Sequence, residues 1–501
     1  MEKEKLPSLV HNWTSVAGFV LASVSSLIIL FLLGINFIVG IKSPYIGILL
    51  YMILPAFLVL GLLLIPSGMY FRWRQVRKGG ELHKWPRIDL NDERHRKSAI
   101  IFILGTVFFI LISSVGVYQA YQFTESVAFC GRVCHSVMKP EYTAYQQSPH
   151  ARVKCVECHI GPGVGWYAKS KLSGLYQVYA VLANVYPSPI PTPITNLRPA
   201  RETCEQCHWP GQFFGAMQRR FDHFMYDRNN SHWPITMILK VGGGSSMMVR
   251  EKDIHWHVDP GVTVEYIARD KLRQDIPWVR MTDRKTSSVK VFQDESKPLS
   301  QKELSGRVPR VMDCMDCHNR PSHNFLSPDY EMDSRLSSGG IDTSIPEIKR
   351  VAVQAMTREY RSGPEALKGI ETTIADFYRT TYPGLFSAKK EAIDSSVKST
   401  QDAYLKNFFP AMKVKWSDYP NGIGHFIFRG CMRCHDGKHK SDDGMIIPND
   451  CHTCHIIFEQ EKSDSTETLN LETGQEFRHP VDIGNAWQEV GCFECHSGVR
   501  P

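Results

Sequence analysis

No cysteine of this 501-residue chain stands alone. All fourteen fall into seven close pairs, so no spare thiol remains for nucleophilic catalysis or redox sensing. No histidine lies within the three long apolar runs of the first quarter: His11, His83 and His95 sit at or beyond their ends. Nothing that needs an imidazole ligand at bilayer depth is therefore held there. A fixed-period repeat is also missing, because successive cysteine pairs are spaced from about 20 to over 110 residues apart.

What is present is a histidine directly after every second cysteine. Six pairs read Cys-x-x-Cys-His: Cys155 and Cys158 with His159, Cys204 and Cys207 with His208, Cys314 and Cys317 with His318, Cys431 and Cys434 with His435, Cys451 and Cys454 with His455, and Cys492 and Cys495 with His496. The seventh, Cys130 and Cys134 with His135, has three residues between its cysteines. This is the attachment pattern of haem c: two thiols add to the two vinyl groups of one porphyrin, and the adjoining histidine lies under the iron. Structural zinc uses similar cysteine pairs without needing the histidine, and disulfides do not explain it either. With 20 histidines in the chain, seven such coincidences are not chance. The expected cofactors are seven covalently bound haems c.

The apolar runs, residues 14–41, 43–71 and 98–124, carry no charge, and each exceeds the roughly 20 residues that cross a bilayer. They predict three transmembrane helices in a region spanning 1–124, with Pro55 kinking the second. The link 72–97 holds nine Lys or Arg against four Asp or Glu, five of the seven net positive charges. So basic a loop beside the membrane belongs in the cytoplasm, which puts everything after about Gln122 outside, where haem c is attached. Its position accounts for its charge, so nucleic acid is not an expected partner. With no histidine at depth for a haem b, the membrane part reads as an anchor and a floor for a lipophilic donor.

Beyond the membrane, the expected fold class is a multihaem cytochrome c whose external domain is mostly irregular and packed on porphyrins. Three motifs lie in 125–215. A strand-rich insert follows in 216–310, with short runs such as "ITMILKV", "MMVRE", "VTVEYIA", "PWVRMT" and "SSVKVF". Residues 311–430 carry the fourth motif and three helical stretches, and 431–501 carry the last three motifs. The segment 186–200 is proline-rich and reads as an extended linker.

Irons that only carry electrons need a sixth ligand. His150, His323, His425 and His479 sit in turn-rich contexts near motifs, and in "IHWHV" His255 and His257 are expected on one side of a strand. His223, His232 and His439 are open, and His452 lies inside a motif where solvation suffices. At the first motif, Met138 either ligates the iron through its thioether or packs on the porphyrin edge.

The stretch "CGRVCHSVMKPEY…SPHARVKCVECHIGPGVGWYAKSKLSG…LRPARETCEQCHWP" resembles the NapC/NirT family of membrane-anchored, quinol-oxidising cytochromes, over roughly residues 100–215. Family members typically have one membrane helix and four haems. The enlarged plan here is similar to the heptahaem inner-membrane cytochromes of metal-reducing bacteria. The resemblance implies a quinol site beside the first haem, with Met138 on one face of that iron and His150 as the distal ligand ahead of the second motif. It implies a quinol-binding lysine at Lys169 or Lys171. The family's acidic partner is not visible in "LSGLYQVYAVL", and Glu141 is the substitute considered. The implied activity is quinol dehydrogenation at a bacterial inner membrane, with electrons leaving for periplasmic cytochromes or a terminal reductase. Two other readings stand beside it: a terminal reductase of nitrite, hydroxylamine or a sulfur oxyanion, which needs an open iron, and a haem conduit without its own quinol site.

Overall fold

A computed structural model describes residues 12–499, apart from 40–52, 78–88, 95, 98, 102, 105–117, 120–121, 134, 195–197, 210–212, 214, 244–252 and 461–473. The chain divides into two units, Met1–Ser126 with Ile160–Tyr179, and Val127–His159 with Ala180–Pro501. This differs from the expected three-motif domain over 125–215, because residues 160–179 group with the membrane portion.

In the first unit, α1 (Trp13–Val39) and α2 (Leu54–Arg77) are the two helices long and apolar enough to cross a membrane among the described residues. The run 98–124 lies largely outside the described residues, and those that are described are helical. The two helices cross through small residues. A Cβ on Gly18 would come within 2.7 Å of the Gly61 carbonyl, and one on Gly61 within 2.6 Å of the Ala22 nitrogen. Such backbone approach is how helices associate where lipid removes the hydrophobic drive. Ser15 adds an interhelical bond, donating to the Ile65 carbonyl at 2.9 Å. Large side chains such as Phe19, Leu27 and Phe31 stay exposed, as lipid-facing positions do. Pro55 does not kink α2. It occupies the first turn, where its missing N–H has no partner to lose. The internal proline is Pro66, and the helix runs on to Arg77, so that Arg74 and Arg77 complement its C-terminal dipole.

In the second unit, α3 (His135–Gln147) follows the first motif, and the helix α4 (Val164–Leu182) returns to this unit at Ala180. Five helices, α5 (Pro328–Ser337), α6 (Ile348–Met356), α7 (Gly363–Thr381), α8 (Pro383–Ala388) and α9 (Lys390–Asn407), enclose an ordinary side-chain core. Met332, Ile348, Ile370, Ile374, Tyr378 and Ile393 are wholly buried in it. Ser327 and Ser362 cap α5 and α7, and a proline follows in the first turn of each.

Two antiparallel sheets flank the motifs. One has the order β1 (Met217–Phe224), β2 (His232–Leu239), β10 (His455–Gln460). The other runs β6 (Arg310–Val311), β3 (Val262–Ile267), β4 (Trp278–Asp283), β5 (Val289–Asp294), β9 (His439–Ser441), and a small hairpin joins β7 (Phe408–Phe409) to β8 (Val414–Lys415). Strands from the last seventy residues thus complete both sheets, so the insert and the C-terminal motifs are interleaved rather than consecutive. "MMVRE" lies outside the described residues. "IHWHV" is a 3-10 turn, Ile254–Val258, and not a strand, so His255 and His257 do not share a strand face.

Candidate functional site

Each Cys-x-x-Cys-His segment folds as a single helical turn, which brings positions i, i+3 and i+4 to one side. The N–H of His208 bonds the Cys204 carbonyl, His318 bonds Cys314, His435 bonds Cys431 and His496 bonds Cys492, at 2.8 to 3.1 Å. Aspartates nucleate two of these turns: Asp313 caps Cys314–Cys317, and Asp450 caps Cys451–Thr453. The longer first motif is a π-helical turn over Phe129–Val133, which accommodates one more residue per turn than an α-helix. Among the described residues no two cysteines form a disulfide, and no three His, Cys, Asp or Glu side chains converge on a point that would hold a bare metal ion.

The histidines after the second to seventh cysteine pairs are each faced by another histidine. Ring centres lie 6.2 Å apart for His159 and His323, 6.0 Å for His208 and His150, and 6.3 Å for His318 and His255. They lie 5.8 Å apart for His435 and His257, 6.1 Å for His455 and His425, and 6.0 Å for His496 and His479. An iron bound about 2 Å from one nitrogen of each ring sets the ring centres about 6 Å apart. The residues therefore fit an iron between each pair.

In four of these rings the other nitrogen bonds a backbone carbonyl. Nδ1 of His255, His257 and His323 donates to the carbonyls of Val241, Ile254 and Glu141, at 2.5 to 3.0 Å. On the proximal side, Nδ1 of His435 donates to Pro448 at 2.6 Å. This fixes the tautomer that leaves Nε2 free for a metal. Tyr145 supports the loop bearing His150, its hydroxyl lying 2.7 Å from the Ala151 carbonyl and 2.9 Å from that of Val153. Burial drives His257, His323 and His455 down to about 4, and lowers His159, His318, His425, His435 and His496 too, so the rings are neutral ligands at physiological pH.

The remaining histidines have other tasks. His223 reaches Asp333 at 3.4 Å, and His232 reaches Asp222 at 2.8 Å. His439 uses both nitrogens, on Asp436 and the Ile276 carbonyl, and His452 is exposed.

Successive motifs meet in sequence order. The sulfur atoms of Cys130 and Cys155 lie beside one another, as do those of Cys204 and Cys314. Cys158 lies within electrostatic reach of Cys204, Cys317 of Cys431, Cys454 of Cys431, and Cys492 of Cys451.

The residues expected at a quinol site are distributed differently. Lys171 bonds Glu125 at 2.5 Å and approaches the Thr124 hydroxyl at 3.5 Å. Glu125 is buried, and it stands immediately after the third apolar run. Lys169 is exposed, with its ammonium 5.0 Å from the centre of the Trp166 ring. Glu141 is not the partner of either lysine. Its carboxylate is committed to Arg320 at 2.8 Å and its carbonyl to His323, and burial pushes its carboxyl above the ordinary range while Arg320 pulls it back. Met138 is half-buried on α3, and the side chain of His135 lies outside the described residues. Glu125 escaped the sequence reading because it precedes its lysine by 46 residues. The signal was a lone carboxylate directly after an apolar run.

Membrane-crossing helices joined to a succession of Cys-x-x-Cys-His turns define a membrane-anchored multihaem cytochrome c. Residues 92–189 match the NapC/NirT cytochrome c family, N-terminal region. The chain is 46% identical over 499 residues to the cytochrome c-type protein ImcH of Geobacter sulfurreducens, covering 99% of this chain and 97% of that one. It is 28% identical over 114 residues to the cytochrome c-type protein NrfH of Wolinella succinogenes, covering 22% of this chain and 63% of the relative. No solved structure matches. The chain belongs to the ImcH-type NapC/NirT cytochromes, electron-transfer proteins with covalently bound haem c.

Proposed function

We propose that this chain is a quinol dehydrogenase of the bacterial cytoplasmic membrane, taking electrons from quinol at the outer face and delivering them to periplasmic cytochromes or a terminal reductase. Seven haems c are held by the seven cysteine pairs, six of them between the imidazole pairs described above. The observation that carries the reading is that succession of six pairs, each with an iron-sized gap, on a chain with membrane-crossing helices. When bound, haem c supplies one-electron transfer, which no side chain at these positions provides.

The residues of the chain do the rest. At six positions a pair of imidazoles would hold the iron, which would leave no place on it for nitrite, hydroxylamine or a sulfur oxyanion. That favours electron carriage over direct substrate reduction. At the first motif, Met138 stands on α3 three residues after His135, the histidine that the motif offers as proximal ligand. We assign iron ligation there to Met138, whose thioether raises the potential relative to a second imidazole.

Quinol oxidation releases two protons with its two electrons, so the site needs a base. Lys171 orients the quinol oxygen, and Glu125 takes the two protons in turn, passing each to the outer solution, as the two electrons leave singly. Exposed Leu172, Leu175 and Tyr176 continue along α4 and offer a lipophilic substrate an apolar approach.

The test is reduction of the full-length protein in nanodiscs by a reduced menaquinol analogue, followed by haem absorbance. The expected result is quinol-driven reduction of the haem bands. Protein that dithionite reduces but quinol leaves oxidised would refute the reading.

A further inference from the structure

Arg433 is one of the two residues between the paired cysteines of the fifth motif, and it is buried, only 9% exposed. Its guanidinium donates to four backbone carbonyls: Gly430 at 2.7 Å, Arg273 at 3.1 Å, Asp316 at 2.8 Å and Gly422 at 3.0 Å. Four of its five N–H groups are thereby used. It makes no ion pair among the described residues.

The charges around it are already answered. Asp316, at 3% exposure the buried member of the fourth motif, accepts from Arg273 at 2.6 Å, Arg310 at 2.8 Å and Tyr266 at 2.6 Å. Asp313 pairs with Arg310 at 3.1 Å, and Asp436 with His439 at 2.8 Å. Set against two carboxylates, the three guanidiniums of the Arg273, Arg310 and Arg433 cluster leave one positive charge uncompensated, and it sits between the fourth and fifth motifs. Arg433 belongs to the fifth motif and its guanidinium bonds the Asp316 carbonyl of the fourth at 2.8 Å, so its charge lies beside both cysteine pairs. A buried guanidinium with satisfied hydrogen bonds and no counter-ion costs desolvation free energy, and tying a loop to carbonyls does not require the charge.

We propose that Arg433 is a potential-setting residue, a fixed positive charge that favours the reduced state of the haems at the fourth and fifth motifs. Reduction of a ferric haem adds one negative charge, so a neighbouring cation stabilises the product and raises the potential. At an effective dielectric of about 20, one unit charge about 12 Å away changes a one-electron equilibrium roughly tenfold, which is about 60 mV. The inference rests on haem attachment at these two motifs.

The experiment is a spectroelectrochemical titration of the full-length holo-protein, with haem content measured by intact mass, for Arg433→Met, Arg433→Lys, Arg433→Gln and Asp313→Asn. Arg433→Met should lower two midpoint potentials by about tenfold in equilibrium constant and leave the others in place. Arg433→Lys, which keeps the charge but loses the fork, should restore most of that shift. Asp313→Asn keeps its cap on the Met315 N–H and removes a neighbouring negative charge, so it should raise the same two potentials. Arg433→Gln, which keeps part of the carbonyl bonding without the charge, should lower the same two potentials and decides the matter if the methionine variant does not fold. Full haem content with unmoved potentials, or equal shifts in the methionine and lysine variants, overturns the proposal. Wild-type protein without haem at these motifs overturns instead the reading beneath it.

Discussion

Glu125→Gln tests the quinol site with the least disturbance of shape. The carboxylate is 5% exposed and bonds Lys171 at 2.5 Å. An amide of the same size still accepts from the ammonium but cannot take a proton. If Glu125 is the base, quinol-driven reduction should slow by about 10²- to 10⁴-fold, the usual worth of general base catalysis. Stability should change much less. The Lys171 side chain is 36% exposed, so solvent screens the pair, and its loss costs about 1 kcal/mol rather than the several of a wholly buried one. Lys171→Met should slow the reaction comparably. The double variant should be little worse than either single one, because the two groups act as a unit. Lys169→Met should stay near the wild-type rate, because that ammonium rests on Trp166 in solvent. Stopped-flow absorbance of nanodisc-embedded protein measures the rate with a menaquinol analogue, and dithionite reduction controls for haem loading. Glu125→Gln protein that quinol reduces at the wild-type rate refutes the assignment.

His425→Ala should convert one haem to a high-spin species, visible in its charge-transfer band and by electron paramagnetic resonance, because His455 loses the ring 6.1 Å across from it. An unchanged low-spin spectrum would show that another side chain ligates there. Asp316→Asn leaves Arg273 and Arg310 without their shared carboxylate, so it should cost about 3–5 kcal/mol and lower haem occupancy at the fourth motif, measured by intact mass. Ile374→Ala should cost about 2–5 kcal/mol and lower the thermal midpoint without altering the haem spectrum, since its surroundings are side chains alone. Gly61→Leu should separate α1 from α2 and reduce the yield of membrane-inserted protein, because its Cβ has 2.6 Å to the neighbouring backbone.

The attachment positions were legible because the chemistry requires adjacent residues, so cysteine pair and histidine are read together from one short stretch. The histidines that face the motif histidines were legible in part. Turn-rich contexts near motifs picked out His150, His323, His425 and His479, all of which face a motif histidine. "IHWHV" misled, because alternation suits a strand while a five-residue 3-10 turn sends His255 and His257 to two different motifs. β1 went unseen because its exposed, charged "MQRRF" lacks the apolar alternation of a buried strand. Its partner β2 is covered on the other side by β10, a long-range pairing that no local pattern announces. Pro66 was overlooked inside α2, where a nearby hydroxyl, that of Ser67, bonds the Leu63 carbonyl.

The closing of the first sheet has a consequence for maturation. β10 begins at His455 and pairs with Leu239 of a strand synthesised some 200 residues earlier. Loop closure over that distance is slow, and it must wait for the sixth cysteine pair to be delivered. The first sheet therefore stays incomplete until nearly the whole chain has been made, so any folding that depends on it follows the appearance of six of the seven cysteine pairs.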